Sequence, residues 1–150
     1  MAHTFTNLLT HVIFSTKDRQ PFMTDDARPR IFAYMGGIVR ELGGAALRIN
    51  GPNDHAHLLL ALPATVAIAE AMRVVKTNSS KWIHETFPRL SVFAWQHGYG
   101  AFSVSQSNVG AVEAYIDTQE EHHRTMTFQE EFVAFLKRHG ISYDPKYVWE

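Results

Sequence analysis

The distribution of apolar and polar residues along the chain predicts strands and helices in a mixed order. The first strand is predicted from Phe5 to Thr16, a stretch rich in Phe, Val, Ile and Thr. A helix is predicted over residues 25–42, with Thr24 as its N-cap and two aspartates in its first turn, where the helix dipole favours negative charge. Pro29 and the pair Gly36-Gly37 count against this helix.

Two short strands and a long helix are predicted next. The strands run from Ala45 to Asn50 and from Ala56 to Leu62, and the short turn GPND between them implies an antiparallel hairpin. Apolar residues at helical spacing from Thr65 to Phe87 predict a second helix, which Pro88 closes.

The remaining elements complete the order of a known fold type. A fourth strand is predicted from Tyr99 to Ser105, a third helix over residues 108–124 and a last helix from Phe128 to His139. The order is therefore β-α-β-β-α-β-α-α. We expect an α+β fold of the ferredoxin-like split βαβ type, in which an antiparallel sheet carries helices on one face and C-terminal helical additions.

The composition indicates one domain over residues 1–150. No apolar run approaches the ~18 residues that a membrane span needs, so we expect no membrane partner. The sequence shows no signal peptide pattern and contains no cysteine, so we expect no disulfides and a cytoplasmic location. The net charge of −1 provides no strong overall attraction for a polyanion, so a nucleic acid would have to meet a local basic patch.

Two histidines stand at the start of a predicted strand that is otherwise apolar. His55 and His57 are one residue apart, so their side chains share one strand face with Cβ atoms ~7 Å apart. Imidazole nitrogens bind zinc, manganese and other transition ions. A bare His-x-His motif is nevertheless found more often at a strand end with two surface histidines. Strand alternation points Asp54 away from the pair, so we interpret it first as a turn former and second as a neighbour of a metal site.

The third predicted helix carries a tyrosine, a glutamine and a histidine on one face. At ~100° per residue, Tyr115, Gln119 and His122 fall within ~60° of one another. Singly, each is most simply a half-buried or solvated side chain, and His122 and His123 together could be a solvated pair. Tyr115 and Gln119 offer a phenol nucleophile and an amide-oxygen ligand one turn apart, and His122 could accept the phenolic proton or support a ligand.

Four segments of the sequence resemble one protein family. They are the triplet His55-Ala56-His57 after Asn-Asp, the run THVIFSTKDRQP, the run WQHGYGAFSVSQSN and the segment YIDTQEEHH. From about His3 to about Phe132, the chain resembles the small single-tyrosine HUH transposases of bacterial insertion sequences. It resembles the repeat-associated tyrosine transposases and their domesticated relatives more closely still.

The resemblance implies a role for each matching residue. His55 and His57 would be two metal ligands, and Gln119 would be the third. Tyr115 would be the nucleophile that cuts single-stranded DNA beside a hairpin and becomes joined to its 5′ phosphate. The DNA would be rejoined without a nucleotide cofactor, and the protein would be a homodimer in which the tyrosine helix of one subunit can complete the site of the other. Two imidazoles and an amide leave open positions that suit Mg²⁺ or Mn²⁺, with Mn²⁺ slightly favoured by histidine ligation.

Basic side chains are the expected contacts to DNA phosphates. The candidates, which include one hydroxyl donor, are Lys17, Arg19, Arg73, Lys76, Ser79 and Lys81. Any one of them is more simply a solvated residue on a helix face.

Two other functions fit the same residues. His55, His57 and His122 could bind zinc and activate water in a phosphodiesterase that forms no covalent intermediate. A protein derived from a transposase could also hold hairpin DNA without cutting it. A covalent DNA adduct would separate the transposase interpretation from both.

Overall fold

A computed structural model describes residues 3–123 and 125–149, without the side chains of Glu120 and His122. It contains a four-stranded sheet whose strands are β1 (Leu8–Ser15), β2 (Ala45–Asn50), β3 (His55–Leu62) and β4 (Gly100–Ser103). The strand order across the sheet is β2-β3-β1-β4, and each neighbouring pair is antiparallel.

Helices connect and follow these strands. The helices are α1 (Arg28–Glu41), α2 (Ile68–Thr86), α3 (Val109–Asp117), α4 (Gln119–His122) and α5 (Phe128–Arg138). With the antiparallel sheet, this order confirms the predicted α+β fold of the split βαβ type with C-terminal helical additions. In the part of the chain that the structure describes, no helix combines the length and apolarity that a bilayer crossing requires.

The two faces of the sheet carry different helices. Val12 and Phe14 of β1 point into a core formed with α1 and α2, as the period of two along a strand requires. Ile13, between them, points to the opposite face and packs in a second core. That second core contains residues of β4 and α5, namely Phe102, Phe128, Phe132, Phe135 and Leu136. Helices α1 and α2 therefore lie on one face as predicted, and the C-terminal helices cover the other.

Strand β3 lies inside the sheet, between β1 and β2, which explains its continuous apolar sequence. Its register on β1 places His57 opposite Ile13 and His55 opposite Ser15. Because Ala56 and Leu58 face the core beneath α1 and α2, the two histidines face the side that the C-terminal helices cover.

Helix α1 begins later than the sequence predicts. Its first residue is Arg28, and the hydroxyl of Thr24 donates a hydrogen bond to the side chain of Asp26 instead of capping the helix. Pro29 lies in the first turn, where a backbone N–H would have no acceptor within the helix, so its absence costs no hydrogen bond. The helix continues through Gly36 and Gly37, so neither signal interrupts it.

The predicted helix over residues 108–124 is divided in two. Helix α3 ends at Asp117, and Thr118 has φ −106° and ψ 28°, outside the helical region. The Thr118 hydroxyl donates hydrogen bonds to the carbonyls of Ala114 and Tyr115, which is how a threonine competes with helical backbone pairing. Residues beyond the break therefore no longer share the helical phase of Tyr115.

Candidate metal centre

The two histidines of β3 lie side by side in the interior. His55 and His57 are both fully buried, and their ring centroids are 5.2 Å apart. Nδ1 of His55 lies 2.7 Å from Oδ1 of Asp54, and Nδ1 of His57 lies 2.9 Å from Nε2 of His11. Because each Nδ1 atom has a partner, the Nε2 atoms are the ones that face the centre of the site. The surface interpretation of the motif therefore does not hold.

Asp54 lies closer to the site than strand alternation predicts. It precedes β3 in a bend, where alternation does not apply, and its carboxylate accepts a hydrogen bond from His55 Nδ1. Its backbone carbonyl also accepts from the amide of Thr16, at 2.8 Å. Asp54 therefore shapes the turn and also fixes the orientation of one imidazole.

Two residues of the C-terminal segment meet the histidine pair. Glu131 of α5 is 1% exposed, and its Oε1 atom lies 2.9 Å from Nε2 of His57 and 3.4 Å from Nε2 of His55. The Nε2 atom of His123 lies 3.1 Å from the same oxygen and 3.0 Å from Nε2 of His55. One ligand atom from each of these four residues lies within 4.8 Å of the others.

Tyr115 reaches the same cluster from α3. Its hydroxyl donates a hydrogen bond to Oε2 of Glu131, and its ring centroid lies 5.8 Å from that of His57. The side chain is half-buried and lines a cavity of about 190 Å³ with His11 and Arg138, among others. The structure thus brings the predicted nucleophile and the histidine pair together within one chain.

Gln119 lies next to this cluster, at the start of α4. It is fully buried, its Nε2 atom donates to the carbonyl of Tyr115 at 3.2 Å, and its Oε1 atom accepts from Nε2 of His123 at 3.1 Å. Its amide oxygen therefore borders the four clustered ligand atoms.

The sequence did not identify His11, His123 and Glu131 as residues of the site. The side chain of His122 lies outside the described residues, so its predicted role stays a prediction. Its neighbour His123 lies in the cluster. Helical phase from Tyr115 does not point to His123, because the helix is interrupted at Thr118. Glu131 stands in an acidic stretch that suggests a solvated face, and only the pairing of β1 with β3 could have indicated His11.

Burial and pairing shift the pKa values of these groups in opposite directions. Burial lowers the pKa of His11 to about 3 and that of His57 to about 4. Burial would also lower the pKa of His55, but hydrogen bonds with Asp54 and Glu131 raise it above its ordinary value. Burial opposes the charge on Glu131, yet hydrogen bonds from His123, His55 and His57 lower its pKa well below the usual range.

The pKa of the Tyr115 phenol is raised, first by burial and then by its hydrogen bond to Glu131. The phenol is therefore held as a hydrogen-bond donor and not as a phenolate. Any nucleophilic role requires that its proton be transferred during attack.

The donor atoms of the cluster fit a divalent metal ion. Three imidazole nitrogens and one carboxylate oxygen are ligands that zinc and manganese accept in proteins. The partners on the outer nitrogens of His55 and His57 are of the kind that orient metal-binding histidines. The residues present therefore suit the metal that the sequence predicts, although the set of neighbouring donors is larger than His55, His57 and Gln119.

The candidate DNA-binding residues lie in different environments. Lys17 and Lys81 are exposed, and Arg19 is partly buried. Arg73 is exposed but forms two hydrogen bonds to Glu70, at 3.0 and 2.6 Å.

Ser79 and Lys76 are engaged inside the protein. Ser79 is fully buried, donates to the carbonyl of Lys76 and accepts from the indole of Trp95. Nζ of Lys76 lies 3.0, 3.3 and 2.5 Å from the carbonyl oxygens of Gln96, His97 and Gly98. Both side chains form their hydrogen bonds within the protein, and contact of either one with a phosphate stays a prediction.

Lys76 is also expected to stabilise the loop at residues 96–98. A Lys76→Met variant keeps the length of the side chain but removes the donor to three carbonyls, so we expect a loss of about 2–3 kcal/mol in the free energy of unfolding. Urea denaturation measures this loss, with Lys81→Met as the control because Lys81 is exposed on the same helix. Equal stability of the two variants would show that the three contacts do not matter.

Comparison with known proteins identifies the class. A family model described as "Transposase IS200 like" matches residues 4–119. Because the match covers more than half of the chain, the protein belongs to the IS200-like transposase family.

Individual relatives agree with this assignment. The chain is 22% identical over 116 residues to the ISDra2 transposase TnpA of Deinococcus radiodurans, a match that covers 74% of this chain and 83% of that protein. A crystal structure of a candidate transposase from Deinococcus radiodurans R1 is similar with a TM-score of 0.66 and 22% identity, covering 79% of this chain and 95% of that one. A REP-associated tyrosine transposase bound to a REP hairpin is similar with a TM-score of 0.62 and 11% identity, covering 82% and 72%.

Proposed function

We propose that this transposase is a metal-dependent DNA strand transferase that cuts single-stranded hairpin DNA through a covalent 5′-phosphotyrosine at Tyr115. The family assignment supports action on DNA. One observation carries the proposal further: the Tyr115 hydroxyl lies against Glu131, whose other oxygen lies beside the imidazoles of His55 and His57.

The proposed roles follow from these positions. His55 and His57 would hold the ion, with Gln119 as the proposed third ligand and Asp54 as the group that orients His55. His122 remains a proposed neighbour of the site. A divalent ion, Mg²⁺ or Mn²⁺, supplies charge stabilisation at the non-bridging oxygens of the scissile phosphate.

The protein side chains carry the bond changes. The Tyr115 phenolic oxygen attacks phosphorus, so a bond between tyrosine oxygen and phosphorus forms while the bond from phosphorus to the 3′ oxygen breaks. The phenolic proton leaves along the hydrogen bond to Oε2 of Glu131 and passes on to water, because the lowered pKa of Glu131 prevents the carboxylate from keeping it. The departing 3′ oxygen takes a proton from water. In rejoining, the 3′ hydroxyl attacks the phosphotyrosine ester, so no nucleotide cofactor is needed.

Hairpin DNA is the proposed partner because a structural relative is described as bound to a REP hairpin. Lys17, Arg19, Arg73 and Lys81 are the proposed phosphate contacts, and Lys76 and Ser79 stay predicted ones. We also propose a cytoplasmic location. We retain the homodimer as a proposal. The nucleophile already lies beside the histidine pair of its own chain, so a dimer is not needed to complete the site.

The test is to incubate the protein with single-stranded DNA that carries a hairpin and a 5′ flanking segment. With Mn²⁺ we expect a protein-DNA adduct that survives denaturing electrophoresis. A chelator or the substitution Tyr115→Phe should abolish it, because the first removes charge stabilisation and the second removes the nucleophilic oxygen. An adduct that persists in Tyr115→Phe would assign the nucleophile elsewhere.

A phosphodiesterase without a covalent intermediate is the second candidate. The observation that favours it is the third imidazole, since His123 joins His55 and His57 in a set that could activate water on zinc. Cleavage that leaves no adduct and is unchanged by Tyr115→Phe would support this candidate. Binding of the hairpin without any cleavage would instead indicate a DNA-binding module.

A further inference from the structure

We infer that the free protein binds one transition-metal ion within a single chain through His55, His57, His123 and Glu131, and that Zn²⁺ bound there blocks strand transfer. In this ligand set His123 and Glu131 join the histidine pair, and Gln119 is not a ligand of the bound Zn²⁺ ion. The binding site stands independently of the proposed function, whereas the inhibition by Zn²⁺ rests on it.

Each of the four side chains directs one atom at a common centre. The outer nitrogens of His55 and His57 are held by Asp54 and His11. The outer oxygen of Glu131 is likewise held by Tyr115, so its Oε1 atom is the one that faces the three imidazoles. An ion takes the place of the protons on the inner nitrogens, because a histidine ligand is neutral at the coordinating atom.

The spacing of these atoms matches a four-coordinate ion. Ligand atoms at ~2.0–2.1 Å from a tetrahedral zinc ion lie ~3.3 Å from one another. In the structure, Oε1 of Glu131 lies 2.9, 3.1 and 3.4 Å from the three imidazole nitrogens, and the nitrogens of His55 and His123 are 3.0 Å apart. Shifts of a few tenths of an ångström therefore suffice around Glu131. The nitrogen of His57 lies within 4.8 Å of the nitrogens of His55 and His123, so an ion would draw these pairs closer together. Burial of His55, His57 and Glu131 shields the ion from exchange with water.

The types of donor atom then set how tightly the different metal ions bind at this site. Nitrogen-rich sites bind Zn²⁺ more tightly than Mn²⁺, and Mg²⁺ prefers oxygen ligands and water. With Zn²⁺, four protein ligands complete the tetrahedron, as in closed structural zinc sites, and no position remains for a phosphate oxygen. Mn²⁺ takes a larger number of ligands, so positions remain for the DNA. Zn²⁺ should therefore occupy the site and prevent the reaction that Mn²⁺ supports.

Metal binding is measured on the free, full-length protein by calorimetry with Zn²⁺, Mn²⁺ and Mg²⁺ in the absence of DNA. We expect one Zn²⁺ per chain, tighter than Mn²⁺ by at least tenfold, with Mg²⁺ weakest. His123→Ala and Glu131→Gln should each weaken Zn²⁺ binding at least tenfold. The matched controls His84→Ala and Glu85→Gln lie on α2, away from the cluster, and should change it less than twofold.

Cobalt provides a second readout that does not depend on activity. Co²⁺ bound by four ligands gives strong visible absorption, so the wild type should become coloured at one equivalent and Glu131→Gln should lose this intensity. Circular dichroism checks that each variant is folded. Should His123→Ala fail to fold, His123→Asn tests the same ligand, since His123 is partly exposed and tolerates a smaller polar side chain.

The inhibition is tested by adding Zn²⁺ to protein that is forming the DNA adduct with Mn²⁺, and we expect adduct formation to stop at about one equivalent. Zn²⁺ binding that is unaffected by both ligand variants would overturn the site, and undiminished adduct formation with Zn²⁺ bound would overturn the inhibition. If the site binds Zn²⁺ as described but no metal yields an adduct, the proposed function fails while the metal site stands.

Discussion

His57→Ala is expected to lower the rate of adduct formation with Mn²⁺ at least ~1,000-fold, equivalent to ~4 kcal/mol of transition-state stabilisation. His57 supplies an inner nitrogen to the cluster from a rigid strand, so its loss leaves the ion poorly held at the site where charge develops. The rate is measured as denaturant-resistant adduct against time on hairpin DNA. Because His57 is fully buried, we also expect a loss of about 2 kcal/mol in stability, from the cavity and the unpaired His11.

The matched control is His84→Ala, which also replaces a histidine that forms a hydrogen bond, in this case to the carbonyl of Phe93. His84 lies on α2, on the other side of the sheet, so adduct formation should change less than twofold. Equal loss of rate in both variants would indicate a general effect of destabilisation. Full activity in His57→Ala would remove His57 from the metal site.

The free energy of unfolding is expected to fall steeply as the pH drops below about 6.5. The pKa of His11 is about 3 in the folded protein, against an ordinary value of 6.5, and that of His57 is about 4, both mainly because of burial. Between those values the unfolded chain binds more protons than the folded one, so stability is complete above pH ~6.5 and is lost as the pH falls. For His11 the difference corresponds to on the order of 5 kcal/mol. The lowered pKa of Glu131 acts in the same direction, and the raised pKa of His55 opposes it.

The variant His11→Gln isolates one part of this acid sensitivity. The glutamine amide can still form a hydrogen bond with Nδ1 of His57 but does not titrate, so stability should fall less between pH 6.5 and 4 than in the wild type. At pH 7.5 we expect a loss of about 1 kcal/mol, because the edge contact between His11 and Phe135 disappears. Urea denaturation over a pH series measures both effects. Parallel curves for the two proteins would show that His11 does not contribute to the acid sensitivity.

The sequence predicted the sheet because its signals are local and strong. Alternation and apolar runs located β3 within one residue, and the short turn before it required an antiparallel pair. The same alternation placed His55 and His57 on one face. Their burial could not be predicted, since it depends on α5, which is distant in sequence and crosses this face only in the folded chain.

The ligands beyond this pair were harder to predict, for two physical reasons. Helical phase extrapolated from Tyr115 did not point to His123, because the hydroxyl of Thr118 competes for backbone carbonyls and the phase is lost after the break. Glu131 follows Glu130 in a helix start, where acidic residues are ordinary because they suit the helix dipole. Only tertiary packing distinguishes the buried carboxylate from its solvated neighbour.

The start of α5 links the site to the rest of the fold. Thr127 and Glu130 form reciprocal side-chain to backbone hydrogen bonds that define the first turn of this helix, and Glu131 is the next residue. The ligand atoms of His55 and His123 come from positions 68 residues apart, so an ion between them would act as a cross-link that closes a long loop. Occupancy of the centre would thereby anchor the C-terminal helix to the sheet. Removal of the metal would then make this half of the molecule easier to unfold.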